Sequence, residues 1–326
     1  MNSAQQDFLL YLDHTFLDLF AKKRLTNFLR EFQGVRIVPV YSRETLEEIA
    51  RSKGHERSFL DVLLALDAKL LVPRMEAARF TDDADLLDVN PHDEYQEFIS
   101  SQIDVEGIDV LLMELSQALT GARPDLRAAD LLVELRRRGL SMANGALDEA
   151  KGLGALPEEL QSRLHELQRT LEKEYSPPPP DVTLPTSVQE FDRRLAGGSL
   201  HLNNIRPPRV VEQIWERMPD ALKANISIGA YFGVDHADGH SPSQAENVQN
   251  VFNMLGILGY FRDPRLHQNR RMQSLMSDMG HVAFASYCHA FATRDNRLAR
   301  KSAAAYEFVG CSTKVIPLAL ERGPRA

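Results

Sequence analysis

The sequence predicts an α/β fold, a central parallel sheet flanked by helices and split by a mostly α-helical insertion. Three observations predict it. The first 75 residues alternate apolar strand candidates with helix candidates, and the stretch from 251 to 326 does the same. Between them the alternation stops, and acidic composition, helical periodicity and a proline tetrad take over. Strand and helix in strict alternation is the pattern of a parallel sheet with helices on its faces.

Phe8 to Leu12 is an apolar run that reads as a buried strand presenting Asp13 at its carboxyl end. Lys22 to Phe32 places Leu25, Phe28, Leu29 and Phe32 on one helical face, with Gly34 as a stop. Val35 to Tyr41 is the second strand. Ser42 is placed to cap a helix from Arg43 to Arg51, and Thr45 with Glu48 offers a competing capping box. Phe59 to Leu71 reads as one buried helix. Glu44, Glu47 and Glu48 crowd the first turns after Ser42, so the sequence leaves open which of them faces the sheet edge.

The insertion, residues 76–250, begins with an acidic, loop-rich stretch from Thr81 to Asp109. Helices are expected over Ile108–Leu119, over Ala128–Arg138 ending at Gly139, and over Leu156–Tyr175 with a leucine stripe. The tetrad Pro177–Pro180 makes a stiff boundary near 176–180. Thr186–Leu195 and Pro208–Met218 follow as helices, and Trp215 reads as a core anchor. Asp235, His236, Asp238 and His240 lie in a glycine-bearing loop, where no helix face aligns the imidazoles for zinc; His236 or His240 near the sheet edge is the other reading. Glu246 to Leu258 is a helix leading back to the sheet. Asp278 and His281 then share one helical face, Ala290 to Thr293 is a strand ending in Arg294-Asp295-Asn296, Arg297 to Phe308 is a basic helix, and Thr313 to Leu318 is the last strand.

The net charge is −8, but it is unevenly spread. Residues 76–180 carry 22 acidic and 10 basic side chains, whereas 262–326 carry 11 basic and 5 acidic. A local basic field can hold a polyanion on an acidic protein. No apolar run reaches the roughly 18 residues that span a bilayer, and no secretory leader is read at the N-terminus. Cys288 and Cys311 make no disulfide framework and read as reduced thiols, hence a cytoplasmic protein without a membrane partner.

Asp13 in YLDHTF, Glu48 in SRETLEEI, Asp278 in SDMGH and Asp295 in FATRDNRLA together resemble the PIN-domain nucleases. That family places one acid after its first strand, one on the helix after its second, one opening a helix before its fourth, and one after that strand. The resemblance covers about 75 residues at one end and 55 to 65 at the other. His14 departs from it, standing where small or hydroxyl residues are common, and nothing in the family pattern accounts for the insertion. The resemblance implies that Asp13, Glu48, Asp278 and Asp295 are catalytic and hold Mg2+ or Mn2+. Thr293, Asn296, His281 and Glu44 would be supporting groups. It further implies endoribonuclease activity with a 3′-hydroxyl product end, in the manner of toxin and phage-defence effectors. Clustered carboxylates repel unless a hard cation joins them, and such a cation neutralises phosphate and activates water.

Arg294, Arg297, Arg300 and Lys301 flank the acids and are expected to contact RNA, or DNA, through its phosphates. The insertion is expected to engage a regulatory protein or a second copy of the chain. Two other classes stay open. One is a catalytically inactive PIN-like module that binds protein or nucleic acid. The other is a haloacid-dehalogenase-type phosphatase, which needs an acid where Thr15 stands.

Overall fold

The structure is a computed structural model that describes residues 7–22, 35–76, 79–101, 107–123, 125–152, 162, 165, 169, 201–235, 242–263 and 265–318. Its framework is a six-stranded, mostly parallel sheet. The strands are β1 (Phe8–Leu12), β2 (Ile37–Tyr41), β3 (Lys69–Glu76), β4 (Arg79–Leu87), β5 (Ala290–Thr293) and β6 (Lys314–Pro317), in the order β4-β3-β2-β1-β5-β6. All pairings are parallel except β3 with β4. The chain works outward from β1 to β4 and then returns to the other side of β1. In open α/β sheets the gap where the order reverses, here between β1 and β5, is where ligands collect beyond the strand ends.

The helices are α1 (His14–Ala21), α2 (Arg43–Ala50), α3 (Glu56–Ala65), α4 (Pro91–Ser100), α5 (Ile108–Leu119), α6 (Ala128–Gly152), α7 (Val210–Glu216), α8 (Asp220–Lys223), α9 (Ile228–Tyr231), α10 (Gln244–Leu258), α11 (Asn269–Ala285) and α12 (Asn296–Val309). Side chains alternate along a strand, and β1 uses both faces. Leu10 and Leu12 join Phe16, Leu46, Ile49, Leu60, Leu63 and Phe98 in one core, drawn from α1 to α4. Tyr11 points the other way, against His281 of α11 and Phe291 of β5. On that face Val251, Phe252, Val282 and Tyr306 are buried, and the Tyr306 hydroxyl donates to the Val282 carbonyl at 2.8 Å.

The chain divides into two compact units. The first takes Met1–Gln102, Ser199–Asp263 and Ser274–Ala326, and holds the whole sheet. The second takes Ile103–Gly198 and Pro264–Gln273. Within the second, α5 packs on α6, and the buried Gln117 amide donates to the Leu266 carbonyl at 3.1 Å.

The structure departs from the sequence reading at several elements. Phe59–Leu71 is not one helix: α3 stops at Ala65, Asp67 takes φ +52°, and β3 begins at Lys69. Thr81–Asp109 is not loop-rich, because β4 and α4 occupy most of it. Gly139 does not end α6, which runs to Gly152. Asp278 does not open a helix but lies in the middle of α11. The expected helix at Lys22–Phe32, most of the one at Leu156–Tyr175, the proline tetrad, the helix at Thr186–Leu195 and the histidine pair His236 and His240 lie outside the described residues.

Candidate active site at the carboxyl edge of the sheet

Asp13 follows the last residue of β1 and caps α1. It is only 3% exposed. Its Oδ1 accepts from the Phe16 amide at 2.8 Å, and the Thr15 hydroxyl reaches both carboxylate oxygens at 2.7 and 2.8 Å. Burial raises its proton affinity, and hydrogen bonds from Thr293, Thr15 and Phe16 oppose the rise. Thr15 also accepts from the Arg294 amide at 3.3 Å, so one hydroxyl ties the end of β1 to the end of β5.

The three glutamates of α2 separate by direction. Glu47 stays near solvent, 4.0 Å from Arg51. Glu48 turns inward, and its Oε2 lies 2.9 Å from His281 Nε2, with Arg51 3.8 Å from the other oxygen. Burial alone would raise the Glu48 proton affinity, but the His281 cation outweighs it and holds the carboxyl at about 2. Glu44 turns toward Gly280. Burial pushes its carboxyl up to about 7, with the nearby Glu47 and Glu48 charges adding to the rise.

His281 is 1% exposed. Its Nδ1 is 2.9 Å from the Tyr11 hydroxyl, which is 2.6 Å from Ser42 Oγ. Burial disfavours the imidazolium, yet Glu48, Glu44 and Asp13 together raise it to about 9. His281, expected from sequence as a supporting group, bridges Glu48 of α2 and Tyr11 of β1.

Asp278, one turn before His281 on α11, is pushed up to about 7 by burial, against the pull of Lys301 and with the push of Glu48 and Asp295. Asp295 is exposed and caps α12, accepting from the amides of Arg297 at 2.7 Å and Leu298 at 3.1 Å. Its own amide donates to the buried Thr293 hydroxyl at 3.1 Å. Asn296 begins α12 on the exposed side. The four acids therefore come from four separated segments: Asp278 feels the charges of Glu48 and Asp295, and His281 those of Glu48 and Asp13.

The basic group does not form one exposed face. Arg294, Arg297 and Arg300 are exposed; Arg297 lies 3.5 Å from Asp263, and Arg300 stacks over Phe261 at 5.0 Å. Lys301 is 4% exposed, with its ammonium 4.2 Å from the centre of the Phe252 ring. Burial lowers its proton affinity and the neighbouring Asp278 and Asp295 oppose that. Its place as a surface phosphate contact is thus corrected: it is an internal cation beside Asp278. The signal was present, since Leu298, Lys301, Ser302 and Ala305 share one helical face and are all buried. Tyr11, Thr15, Ser42 and Arg51 also belong to the site and carried no sequence signal beyond their nearness to the acids.

The donors are carboxylate oxygens, the kind that hard divalent cations take. Among the described residues no group of three or more His, Cys, Asp or Glu side chains is already gathered as a metal site. No described helix is long and apolar enough to cross a membrane. Compared with family models, curated proteins and solved structures, the chain matches none.

Proposed function

We propose that this chain is a PIN-like, divalent-cation-dependent nuclease that hydrolyses phosphodiester bonds in RNA. One observation supports the reading: Asp13 and Asp295 lie just beyond the adjacent parallel strands β1 and β5, and Asp278 is buried within electrostatic reach of Glu48 and Asp295, its proton affinity raised by burial and those two charges against the pull of Lys301. Perturbed carboxylates concentrate at functional sites, and a divalent cation would offset their mutual repulsion.

Asp13, Asp278 and Asp295 would hold the ion, Mg2+ or Mn2+, with water completing its shell. When bound it would neutralise phosphate charge and lower the pKa of water. Glu48, fixed by His281, would set the position of α11 and so of Asp278. Asp278, whose proton affinity is raised by burial, would give up its proton to bind the ion as the carboxylate. Arg294 and Arg300 would hold backbone phosphates beside the acids.

The test is cleavage of end-labelled single-stranded and structured RNA by the full chain, with Mn2+ or Mg2+ and with chelator. Asp278→Asn should reduce cutting by about two orders of magnitude or more, the scale of a lost acid–base or metal group. Cutting that survives both the chelator and this substitution sinks the proposal.

One observation favours a second reading, a non-catalytic binding module. His281 and Lys301 already supply positive charge to Glu48 and Asp278, so the cluster is partly balanced without metal. Under that reading RNA or a protein binds equally to wild type and Asp278→Asn, and neither cuts under any cation.

A further inference from the structure

A cavity of about 150 Å³ opens between α2, α10, α11 and the β3–β4 hairpin. It adjoins the acidic cluster and shares Glu44 with it. Asp278 and His281 do not line it; Gly280, Ala283, Phe284 and Tyr287 do. Its walls include the rings of Phe80, Phe284 and Tyr287, and its polar lining comes from Glu44, Glu246 and Gln249.

Two of the polar groups near it are already used. The Tyr287 hydroxyl donates to the Thr81 carbonyl at 2.7 Å. Glu246 Oε2 accepts from the Ser243 amide at 2.8 Å and from its hydroxyl at 3.0 Å. The side chains of Glu44 and Gln249 make no hydrogen bond or ion pair among the described residues. Gly280 is what lets Glu44 lie there, since a β-carbon at that position would run into the Glu44 carboxyl group. The imidazolium of His281 acts on Glu44 only through space, since its two ring nitrogens are taken by Tyr11 and Glu48. A half-buried carboxylate left without a partner is costly, and aromatic faces attract cations. The missing partner is therefore one that brings positive charge and N–H donors.

We propose that this cavity binds a small organic cation, of the alkylamine or guanidinium class, with its charged head between Glu44 and Gln249 and its carbons against Phe80 and Phe284. The space holds about five waters' worth of matter at ~30 Å³ each, a size suited to such a head and a short chain. The proposal stands apart from the nuclease reading, because binding is measured without cutting.

The experiment is titration calorimetry on the full chain with agmatine, putrescine, the neutral analogue butylurea, and guanosine. Agmatine or putrescine should bind, and Glu44→Gln should weaken that binding about ten- to a hundredfold, the loss expected for a charged hydrogen-bond partner. Gln249→Leu, which leaves the first turn of α2 alone, should weaken it about threefold to tenfold, as for a neutral hydrogen bond. Circular dichroism establishes that each variant is folded. Failure of both cations to bind overturns the proposal. So does binding that Glu44→Gln and Gln249→Leu leave unchanged, and so does preference for butylurea or guanosine over the cations.

Discussion

At the level of single residues the site turns on the chain Ser42–Tyr11–His281–Glu48. Its pH response follows from the directions of the shifts. Glu48 is depressed from 4.5 to about 2, so its contribution to stability is present above 4.5 and lost as pH falls toward 2. His281 is raised from 6.5 to about 9, so its contribution is full below 6.5 and lost as pH rises through 9. Asp278 is raised from 3.8 to about 7, which penalises the folded state progressively across that interval. The cluster should therefore favour folding most near pH 4.5 and less at each step toward 9. Thermal unfolding followed against pH checks this. Glu48→Gln should flatten the limb from 6.5 to 9, and Asp278→Asn the limb from 4 to 7; unchanged limbs would show that the pairs are not coupled as described. Asp13 and Asp295 stood out in the sequence because each follows an apolar strand run closely; Glu48 did not separate from Glu44 and Glu47, whose direction only the packing of α2 decides. Tyr11 was not, because an aromatic inside an apolar strand looks like any other core residue until the opposite face of the sheet is known.

At the level of elements, Asp295 does two things. It caps α12 through the Arg297 and Leu298 amides while adding its charge to Asp278. The two roles separate by substitution. Asp295→Ala should cost about 1 kcal/mol of stability through the lost cap, whereas Asp295→Asn should keep most of it. Both should impair cutting if the carboxylate is needed for the ion, and denaturant unfolding alongside RNA cleavage distinguishes the effects. At the other end of α12, Gly310 takes φ +77° as the helix stop. Gly310→Ala should destabilise by about 1 kcal/mol, the cost of a β-carbon in the left-handed region, seen as a lower unfolding midpoint. The helix stop and the short strands β1 and β5 were legible because capping residues and apolar runs are local signals. The β3–β4 hairpin was not. Its first strand continues an apolar run from α3 without a glycine or proline between them, and the turn rests on Asp67 alone, in a left-handed conformation that aspartate tolerates. Strand β4 carries Asp82, Asp83 and Asp85, which suggest a loop; on an edge strand such charges instead discourage pairing with another chain.

At the level of the whole molecule, the sheet is assembled from distant parts of the sequence, and its order sets β1, which Asp13 follows, beside β5, which Asp295 follows at one residue's remove. Binding of a cation there should stabilise the first unit by mass action, by about 2.7 kcal/mol at a hundredfold excess over Kd. Thermal unfolding with and without Mn2+ should show the gain in wild type and not in the Asp278→Asn, Asp295→Asn double variant; an equal gain in both would place the ion elsewhere. The alternation at the two ends was readable because it is periodic. The division of the middle was not, since it depends on which helices bury their apolar faces together and not on any local pattern: residues 199–263 belong with the sheet, although they follow the helices of the second unit.

The central strand β1 has its two neighbours at very different distances along the chain. It pairs with β2 nearby, while the amide of Leu9 reaches His289, 280 residues further on. During translation β1 thus leaves the ribosome with one edge lacking its partner until β5 has been made. Until α11 is reached, the nascent chain carries Asp13 and Glu48 without Asp278 and Asp295. On the proposed nuclease reading, a product that stops before residue 278 would lack two of the four acids and would be inert.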